Sequence, residues 1–256
     1  MSTDLDIATE SPKIVEAPKL RSRRSRVFSF VWKLAVFLIL FPVLQVIILR
    51  FINPPVSTMM VYQSFERLFS GESMSFSHTN ISWEEMPDSF IQSVVAAEDQ
   101  KFYSHNGFDW TEIEKAQKDH ERHPNRPMRG ASTISQQTAK NLFLPPWHLM
   151  IRKGVEAYYT FLMEHLWSKQ RIIETYANIV ELAPGVYGIE AGAQYHFHKH
   201  ASQLSVGESA YLASVLPNPK RWSASKPTPY IQRRAARIMR QSRGLPADED
   251  EDGEPD

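Results

Sequence analysis

The feature that most constrains this chain is a long apolar stretch, residues 27–52, which directly follows a run rich in lysine and arginine. Its part without charged residues, 34–49, is 16 residues long. That is slightly shorter than the roughly 20 residues that a helix needs to cross a bilayer. Lys33 and Arg50 lie at its two ends, where long side chains can reach the headgroups, and residues 28–32 add apolar length. We therefore predict a membrane-spanning anchor over residues 27–52.

Two other structures can contain such a stretch, a buried core helix and a cleaved signal peptide. A core helix seldom follows a strongly basic run, and no small-x-small cleavage site follows this stretch; Pro54 and Pro55 come instead. Basic flanks stay in the cytoplasm, which places the residues after Pro54 on the far side of the membrane. The predicted organisation is a cytoplasmic basic tail (1–26), the anchor (27–52), an external domain (53–243) and a disordered acidic tail (244–256).

Composition narrows the class of the external domain. Of 256 residues, 29 are Lys or Arg and 29 are Asp or Glu, and this balance argues against a nucleic-acid-binding protein, which usually has a basic excess. The lack of cysteine excludes disulfides, thiolate zinc sites and a cysteine nucleophile. Helical apolar spacing and two capping-box patterns, Thr133 with Gln136 and Ser205 with Glu208, predict a mainly α-helical domain.

The first candidate site is the carboxylate pair Glu98-Asp99, at the polar end of a predicted apolar helix. Partial burial at such a position would raise the pKa of a carboxyl group toward the range useful for proton transfer. The alternative is a helix that simply ends in solvated acids, and for one acidic pair alone this is the more common case. The functional interpretation therefore depends on the other groups in the chain.

The second candidate site is the segment 130–141, in which a glycine and hydroxyl residues precede a new helix. Unpaired backbone N–H groups at a helix N-terminus bind anions, so we expect a phosphate site there. Thr133, Gln137 and Lys140 recur on nearly one face and add donors and a cation to it. Simple capping by Thr133 and Gln136 is the alternative, but it does not explain Gln137 or Lys140.

The third candidate group is Arg152 and Lys153, followed one turn later by Glu156. Lys153 and Glu156 have i, i+3 spacing, which in isolation is more often a surface ion pair. Residues 231–243 form a predicted Arg-rich helix, for which anionic lipids and the acidic tail are alternative partners. None of these groups identifies a function when it is taken alone.

Taken in order, the segments resemble the five motifs of glycosyltransferase family 51, the peptidoglycan polymerase module. The resemblance covers residues 83–222, and the motifs correspond to residues 98–109, 130–141, 152–156, 168–178 and 188–217. This chain has Tyr-Ala-Asn at 176–178 where Tyr-Leu-Asn is usual, and Phe-His-Lys at 197–199 where Phe-Gly-Lys is usual. Because few residues follow the last motif, we expect a monofunctional member rather than a bifunctional class A penicillin-binding protein.

The resemblance implies a mainly α, lysozyme-like glycosyltransferase domain with a small membrane-proximal jaw, preceded by one transmembrane helix. It implies polymerisation of lipid II into β-1,4 glycan strands, with inversion at the anomeric carbon and release of undecaprenyl diphosphate. The chain would be a single-pass protein of the bacterial inner membrane, with a cytoplasmic N-terminus and a periplasmic catalytic domain. The implied partners are lipid II, the growing glycan strand, membrane lipids and other cell-wall synthesis proteins, with no nucleic acid.

The resemblance also implies roles for individual residues. Glu98 would be the base that takes the proton of the attacking hydroxyl group, and Glu156 the second essential acid. The implied substrate-binding set is Asp99, Phe102, His105, Ser132, Thr133, Gln136, Gln137, Lys140, Asn141, Arg152 and Lys153. The first three of these resemble supporting residues of the first motif, and the cations would face the leaving diphosphate. No cofactor is expected to be obligatory; a Mg²⁺ or Mn²⁺ ion bound with the diphosphate is left open, because the sequence shows no ligand set.

Two other functions stay open at this level. A lytic muramidase of lysozyme-like fold would also use one dominant glutamate, but a hydrolase acting on neutral sugars has no need for Lys140, Arg152 and Lys153 beside it. A non-catalytic, membrane-tethered scaffold of the cell-wall machinery would not depend on Glu98 at all.

Overall fold

The computed structural model describes residues 23–71, 75–146 and 149–244, with the backbone alone for residues 23–26 and 149. Most of the basic tail predicted for 1–26 and nearly all of the acidic tail predicted for 244–256 lie outside the described residues. The described chain is mainly helical, which confirms the predicted fold class. It divides into two compact units, Met1–Phe41 and Pro42–Asp256.

The second unit alternates helices with a few very short strands. In chain order the helices are α1 (Arg23–Leu49, which begins in the first unit), α2 (Thr58–Phe69), α3 (Asp88–Glu98), α4 (Trp110–Arg122), α5 (Ile134–Phe143), α6 (Leu149–Leu166), α7 (Lys169–Ile179), α8 (Ile189–Phe197), α9 (Val206–Val215) and α10 (Pro229–Ser242). The strands are β1 (Ser77–His78), β2 (Glu181–Ala183) and β3 (Val186–Tyr187). Single 3₁₀ turns occupy Trp83–Glu85 and Ala201–Gln203.

Helix α1 contains the predicted anchor. Its apolar part, Val27–Leu49, has 23 residues, and it is the one helix in the described ranges that is long and apolar enough to cross a bilayer. Only 11% of an 18-residue window within that stretch is buried, and Phe28 and Trp32 are 73% and 63% exposed. This exposure argues against the alternative of a buried core helix. The helix ends at Leu49, slightly before the predicted limit of the anchor.

The last turn of α1 lies within the second unit and is capped by side chains of the α6–α7 region. Arg171 Nη2 donates to the carbonyl oxygens of Leu49 and Ile52, both at 2.9 Å. Trp167 Nε1 donates to the carbonyl oxygen of Val46 at 2.7 Å, and the Val46 side chain is fully buried. The last carbonyl groups of a helix lack partners within the helix, so Arg171 satisfies that of Leu49, while Trp167 adds a second donor to Val46, which already accepts from the N–H of Arg50 at 3.0 Å.

One main hydrophobic core holds the helices of the second unit together. Helix α3 packs against α9 and α10, while α5 packs against α6 and α7. The large side chains that are fully buried there include Phe90, Ile134, Met163, Ile172, Tyr176 and Ile189. The two helix groups share this core, and a hydrogen bond between the side chains of Gln137 and Glu98 joins the end of α3 to α5.

A small three-stranded sheet has the order β1-β3-β2, with β1 parallel and β2 antiparallel to β3. Gly188 follows this sheet with a φ of +81°, a conformation that favours glycine. A Cβ at this position would lie 2.4 Å from the carbonyl oxygen of Asn178. The glycine at the start of the last motif is therefore required for close backbone packing between α7 and α8.

Candidate active site

Glu98 ends α3, and its side chain, 14% exposed, lines a cleft. Gln137 Nε2 donates to Glu98 Oε2 at 2.9 Å, and Arg234 Nη2 lies 3.7 Å from Oε1. Burial raises the pKa of Glu98, while the Gln137 hydrogen bond and the charges of Arg234 and Lys140 oppose that rise. A largely buried carboxyl group with a raised pKa is suited to accept a proton from a substrate.

Asp99, the next residue, connects two parts of the fold. Its carboxylate accepts hydrogen bonds from the backbone N–H of Ile134 at 3.0 Å and from His105 Nε2 at 2.9 Å, and its side chain is 3% exposed. The N–H of Gly107 donates to His105 Nδ1 at 3.0 Å, so the ring carries its proton on Nε2, toward Asp99. Asp99 and His105 thus join the end of α3 to the start of α5, which is a supporting role.

Phe102 was expected in the substrate-binding set, and the structure corrects this. Its side chain is completely buried, with its ring against those of Tyr103 and His105. Lys169 Nζ lies 4.6 Å from the centre of the Phe102 ring and donates to Glu164 Oε1 at 2.8 Å. A side chain without exposed area cannot contact a substrate, so Phe102 is a core residue below the cleft.

The N-terminus of α5 is capped by the protein itself, so two of the N–H groups predicted to bind a phosphate, those of Ile134 and Gln136, already have partners. Thr133 Oγ1 accepts from the N–H of Gln136 at 3.2 Å, and Gln136 Oε1 accepts from the N–H of Thr133 at 3.1 Å. This is the predicted capping box. The N–H of Ile134 is bound to Asp99, so the anion at this helix end is a carboxylate of the protein itself.

Lys140, Arg152, Lys153 and Glu156 form a second group, here called the cationic group. Glu156, in α6, is 1% exposed, and Lys153 Nζ donates to its Oε1 at 2.6 Å. Burial lowers the pKa of Lys140; the Glu156 carboxylate opposes this, and the charges of Arg152 and Lys153 add to it. The charge of Glu98 also acts on Lys140. The Lys140 side chain on α5 therefore interacts electrostatically with carboxylates of both α3 and α6.

Two buried polar atoms of the cationic group, Glu156 Oε2 and Arg152 Nε, have no hydrogen-bond partner among the residues that the structure describes. Buried polar atoms are rarely left unpaired, and such atoms are typical of a site that a ligand completes. Lys153 Nζ also lies 3.4 Å from Ser132 Oγ, and Ser132 lines the cleft. Asn141 is half-buried in the last turn of α5.

The cleft beside Glu98 has a volume of about 700 Å³ and lies between α3, α4, α5 and α10. The predicted residues that line it are Glu98, Asp99, Ser132, Thr133 and Gln137. Further lining residues, outside the predicted site residues, include Lys101 and Pro217, which belong to the first and last motifs, and Glu112, Lys115, Arg129 and Arg234, which belong to none. In the described chain the cationic group adjoins this cleft, through Ser132 and through the charge of Lys140, rather than lining it.

Arg234, which the sequence analysis did not single out, lies beside Glu98. It lies in α10, and its Nε also donates to the carbonyl oxygen of Ser214 at 3.2 Å, which fixes the guanidinium beside the carboxylate. Arg234 follows Ile231 by three residues and precedes Ile238 by four, and both isoleucines are buried. An arginine at the apolar spacing of its own helix was the signal that could have identified it.

Three of the other missed residues form an ion-pair cluster at the cleft wall. Glu112, in α4, accepts from Lys115 Nζ at 2.8 Å and from Arg129 Nη2. Lys101 Nζ lies 3.3 Å from Asp109 Oδ2 on the same wall. Lys101 and Asp109 belong to the first motif, whereas Glu112, Lys115 and Arg129 belong to polar stretches that resemble an ordinary solvated surface, so no local signal identifies these three.

The fold and this site together define the class of the protein. A mainly helical domain that places a buried carboxylate next to a cationic group agrees with the family resemblance of the motifs. The family model described as Transglycosylase matches residues 66–243, more than half of the chain, and the chain belongs to this family.

Several curated relatives, each named biosynthetic peptidoglycan transglycosylase, are similar over most of their length. The relative from Xanthomonas campestris pv. campestris is 48% identical over 231 residues, which cover 89% of this chain and 92% of the relative. The relative from Bacteroides thetaiotaomicron is 43% identical over 215 residues, or 84% and 86% of the two chains. The relative from Pseudomonas aeruginosa is 42% identical over 231 residues, or 90% and 97%. The predicted family is thereby confirmed.

Proposed function

We propose that this chain is a peptidoglycan glycosyltransferase of cell-wall synthesis that polymerises lipid II into β-1,4 glycan strands. The family and the names of the relatives support the activity. The observation that carries the proposal is the position of Lys140, whose charge acts both on Glu98 and on Glu156. It supports the proposal that a proton acceptor and a group of cations act on the two sides of one sugar–diphosphate junction.

In the proposed reaction Glu98 is the general base. The C4 hydroxyl oxygen of the incoming lipid II attacks the anomeric carbon of the growing strand, and its proton passes to the Glu98 carboxylate. The bond from the anomeric carbon to the diphosphate oxygen breaks, and its electron pair leaves with undecaprenyl diphosphate. Attack from the face opposite the leaving group inverts the α linkage to β. Gln137 holds the carboxylate through its bond to Oε2.

The cationic group receives the charge that develops on the leaving diphosphate. Arg152 and Lys153 are the proposed donors to phosphate oxygens, and the planar guanidinium of arginine can donate to two of these oxygens at once. An approaching dianion favours the charged form of Lys140 and counteracts the effect of its burial. Glu156, nearly fully buried and bound to Lys153, holds these cations together despite their mutual repulsion. Without Glu156 the repulsion among these cations would have no compensating charge, so Glu156 is proposed as essential.

A divalent ion is proposed as dispensable. The described residues contain no group of three or more His, Cys, Asp or Glu side chains that could hold a metal ion. Glu156 Oε2 is a buried carboxylate oxygen available as a ligand, but Lys140, Arg152 and Lys153 stand around it and oppose a cation. A Mg²⁺ or Mn²⁺ ion that arrived with the diphosphate would be held by its oxygens and by Glu156, and would neutralise leaving-group charge.

The proposed location is the bacterial inner membrane, with a single span at Val27–Leu49. The Lys and Arg residues at 19–26 support a cytoplasmic N-terminus, because basic flanks are retained on that side. The catalytic domain then lies in the periplasm. Both substrates carry a lipid, so an anchored enzyme meets them at the surface of the same leaflet. Membrane lipids and other cell-wall synthesis proteins are the further proposed partners.

The experiment incubates full-length protein in detergent with lipid II and, separately, with finished sacculi. Glu98→Gln keeps the shape of the side chain but leaves it permanently uncharged and unable to accept the proton. We expect polymer formation to fall by about 100-fold or more. The matched control is Glu114→Gln, on the exposed face of α4, which should polymerise normally. A chelator should leave the yield unchanged.

The outcomes separate the alternatives. Polymer from lipid II that depends on Glu98 supports the transferase. Soluble muropeptides released from sacculi, without polymer from lipid II, would instead identify a muramidase. Normal polymer yield from Glu98→Gln would remove Glu98 from its proposed role, and a cellular function untouched by that substitution would favour the scaffold.

A further inference from the structure

A buried tyrosine lies directly behind the residue that holds Glu98. Tyr176, in α7, has no exposed surface, and its hydroxyl donates to Gln137 Oε1 at 3.3 Å. Gln137 Nε2 in turn donates to Glu98 Oε2 at 2.9 Å. The three side chains come from α7, α5 and α3 and form one hydrogen-bonded row that leads from the core to the cleft.

The direction of the Gln137 amide decides what Glu98 receives. An amide has a donating end and an accepting end, and an ionised carboxylate can only accept. In the observed orientation the NH₂ end faces Glu98, and the carbonyl end is used by the Tyr176 O–H. In the reverse orientation the Gln137 carbonyl oxygen would face the Glu98 carboxylate, and two acceptors would meet. The Gln137 NH₂ group would face the Tyr176 hydroxyl, whose buried hydrogen would then have no acceptor there.

We propose that Tyr176 is a positioning residue, which locks the Gln137 amide so that its NH₂ end holds the reacting carboxylate of Glu98. This inference rests on the proposed function, in which Glu98 is the base. Tyr176 touches neither substrate nor reacting atoms, and it acts through Gln137 alone.

The charges around the row are consistent with this role. Burial raises the pKa of Tyr176 well above its usual value, and the nearby Glu98 charge adds to this, so the hydroxyl keeps its proton and stays a donor. The groups that face Glu98 are Arg234 from α10, Lys140 and Gln137 from α5, and the adjacent Asp99. Among these, the Gln137 bond, Arg234 and Lys140 lower the pKa of Glu98, and Asp99 raises it.

The molecule contains a second row of the same chemistry, which serves as a matched control. Tyr187, also buried, donates to Gln63 Oε1 at 2.7 Å, and Gln63 Nε2 donates to Glu181 Oε2 at 3.2 Å. This row joins β2, β3 and α2, and none of its three residues lines the cleft beside Glu98. Tyr187→Phe therefore removes an equivalent buried hydrogen bond without touching the proposed base.

The first experiment compares the pH dependence of lipid II polymerisation by wild type, Tyr176→Phe and Tyr187→Phe. Tyr176→Phe keeps the ring and removes the O–H, and we expect kcat to fall about 5- to 10-fold, as for the loss of one hydrogen bond, with KM nearly unchanged. The acidic limb of the profile should move to higher pH, because Glu98 loses a donor that favours its ionised form. Tyr187→Phe should leave kcat and the limb in place. An unmoved limb in Tyr176→Phe, or an equal shift in both variants, would overturn the proposal.

A second variant tests whether Tyr176 acts through Gln137. Gln137→Met removes both ends of the amide, and its acidic limb should move in the same direction. Adding Tyr176→Phe to Gln137→Met should then move the limb no further, since residues in one network are not additive. A further shift in the double variant would show that Tyr176 acts by another route.

A readout without turnover separates this inference from the proposed function. The carboxyl carbon of Glu98, labelled with ¹³C and assigned by its loss in Glu98→Gln, can be titrated by NMR in the full-length protein. We expect a higher midpoint in Tyr176→Phe than in wild type or Tyr187→Phe. If the midpoint shifts but wild type forms no polymer, the proposed function fails alone; if wild type forms polymer but the midpoint is unchanged, the positioning role fails alone.

Discussion

The ionised form of Glu98, in which it would act as the base, reduces the stability of the folded chain. Burial favours its neutral form, and the donors around it compensate for this only in part, so that its pKa stays above the ordinary value of 4.5. An ionised carboxylate in such an environment is reactive because it is poorly solvated. Conflict between stability and activity at single residues is common in active sites.

This conflict predicts a pH-dependent gain in stability for Glu98→Gln. Because the folded pKa is raised, the folded state retains the proton more strongly than the unfolded state. The contribution of Glu98 is therefore fully present below pH 4.5 and is lost as the pH rises through the folded pKa. Glutamine keeps the neutral state at every pH. Glu98→Gln should thus unfold at a higher temperature than wild type at pH 8, with little difference at pH 4.

Thermal unfolding of the full-length protein in detergent at the two pH values measures this difference. Arg234 keeps its bond to the Ser214 carbonyl in the variant, so it is not left unpaired. Glu114→Gln is the control, because Lys118 lowers the pKa of the exposed Glu114, and this substitution should give no gain at pH 8. A lower unfolding temperature for Glu98→Gln at pH 8 would contradict the argument.

At the scale of elements, the contact between the end of α3 and the start of α5 explains why the two acids Glu98 and Asp99 are adjacent in the sequence. Glu98 is the last residue of α3, and Asp99 follows with a φ of −163°, so the two carboxylates diverge. One binds Gln137 on the cleft side, and the other binds the first N–H of α5 together with His105. The second acid thereby fixes the helix that carries the partner of the first.

The end of α1 is an element junction whose strength can be measured. Arg171 donates to two backbone carbonyls and to Asn53, and it is also 3.2 Å from Glu174. Bonds from a charged donor are among the stronger hydrogen bonds, so Arg171→Ala should lower the free energy of unfolding by about 2 to 3 kcal/mol. Arg171→Lys should restore only part of it, because one ammonium group cannot reach all the acceptors.

Denaturant unfolding of the full-length protein in detergent tests this junction. The control is Lys118→Ala, which removes an exposed ion pair with Glu114 and should leave stability unchanged. Equal stability of Arg171→Ala and wild type would contradict this prediction. It would show that water replaces the hydrogen bonds of Arg171 to the end of α1 without a loss of stability.

At the scale of the whole molecule, the proposed orientation across the membrane makes a direct prediction. The chain has no cysteine, so a single introduced cysteine reports its own location. In intact spheroplasts, a membrane-impermeant maleimide should label Gln117→Cys, on the exposed face of α4, but not Ser11→Cys, in the segment before the anchor. Ser11→Cys should react only after lysis. The reverse pattern would place the domain in the cytoplasm, where the proposed reaction could not build an external wall.

Much of the architecture follows from the sequence, because its signals are local. The anchor depends on a continuous apolar run, and the start of α5 depends on Thr133 and Gln136, which lie within one helical turn of each other. The Glu98 and Lys140 side chains could be proposed because their chemical types suit proton transfer and diphosphate binding. Such features depend on residues that are close together in the sequence or on the chemical type of a single residue, and both are visible in the sequence itself.

Only the tertiary structure decided which groups remain available to a ligand. Asp99 meets the N–H of Ile134 across 35 residues, and Gln137 meets Glu98 across 39, so neither partner is visible in a local window. The first contact occupies one N–H group of the helix end where the sequence predicted a phosphate, and core packing buries Phe102 and brings Arg234 to the cleft. The physical reason is that a polar group taken out of water needs a hydrogen-bond partner, and an apolar group needs a surface to pack against. In the folded chain, distant residues supply both.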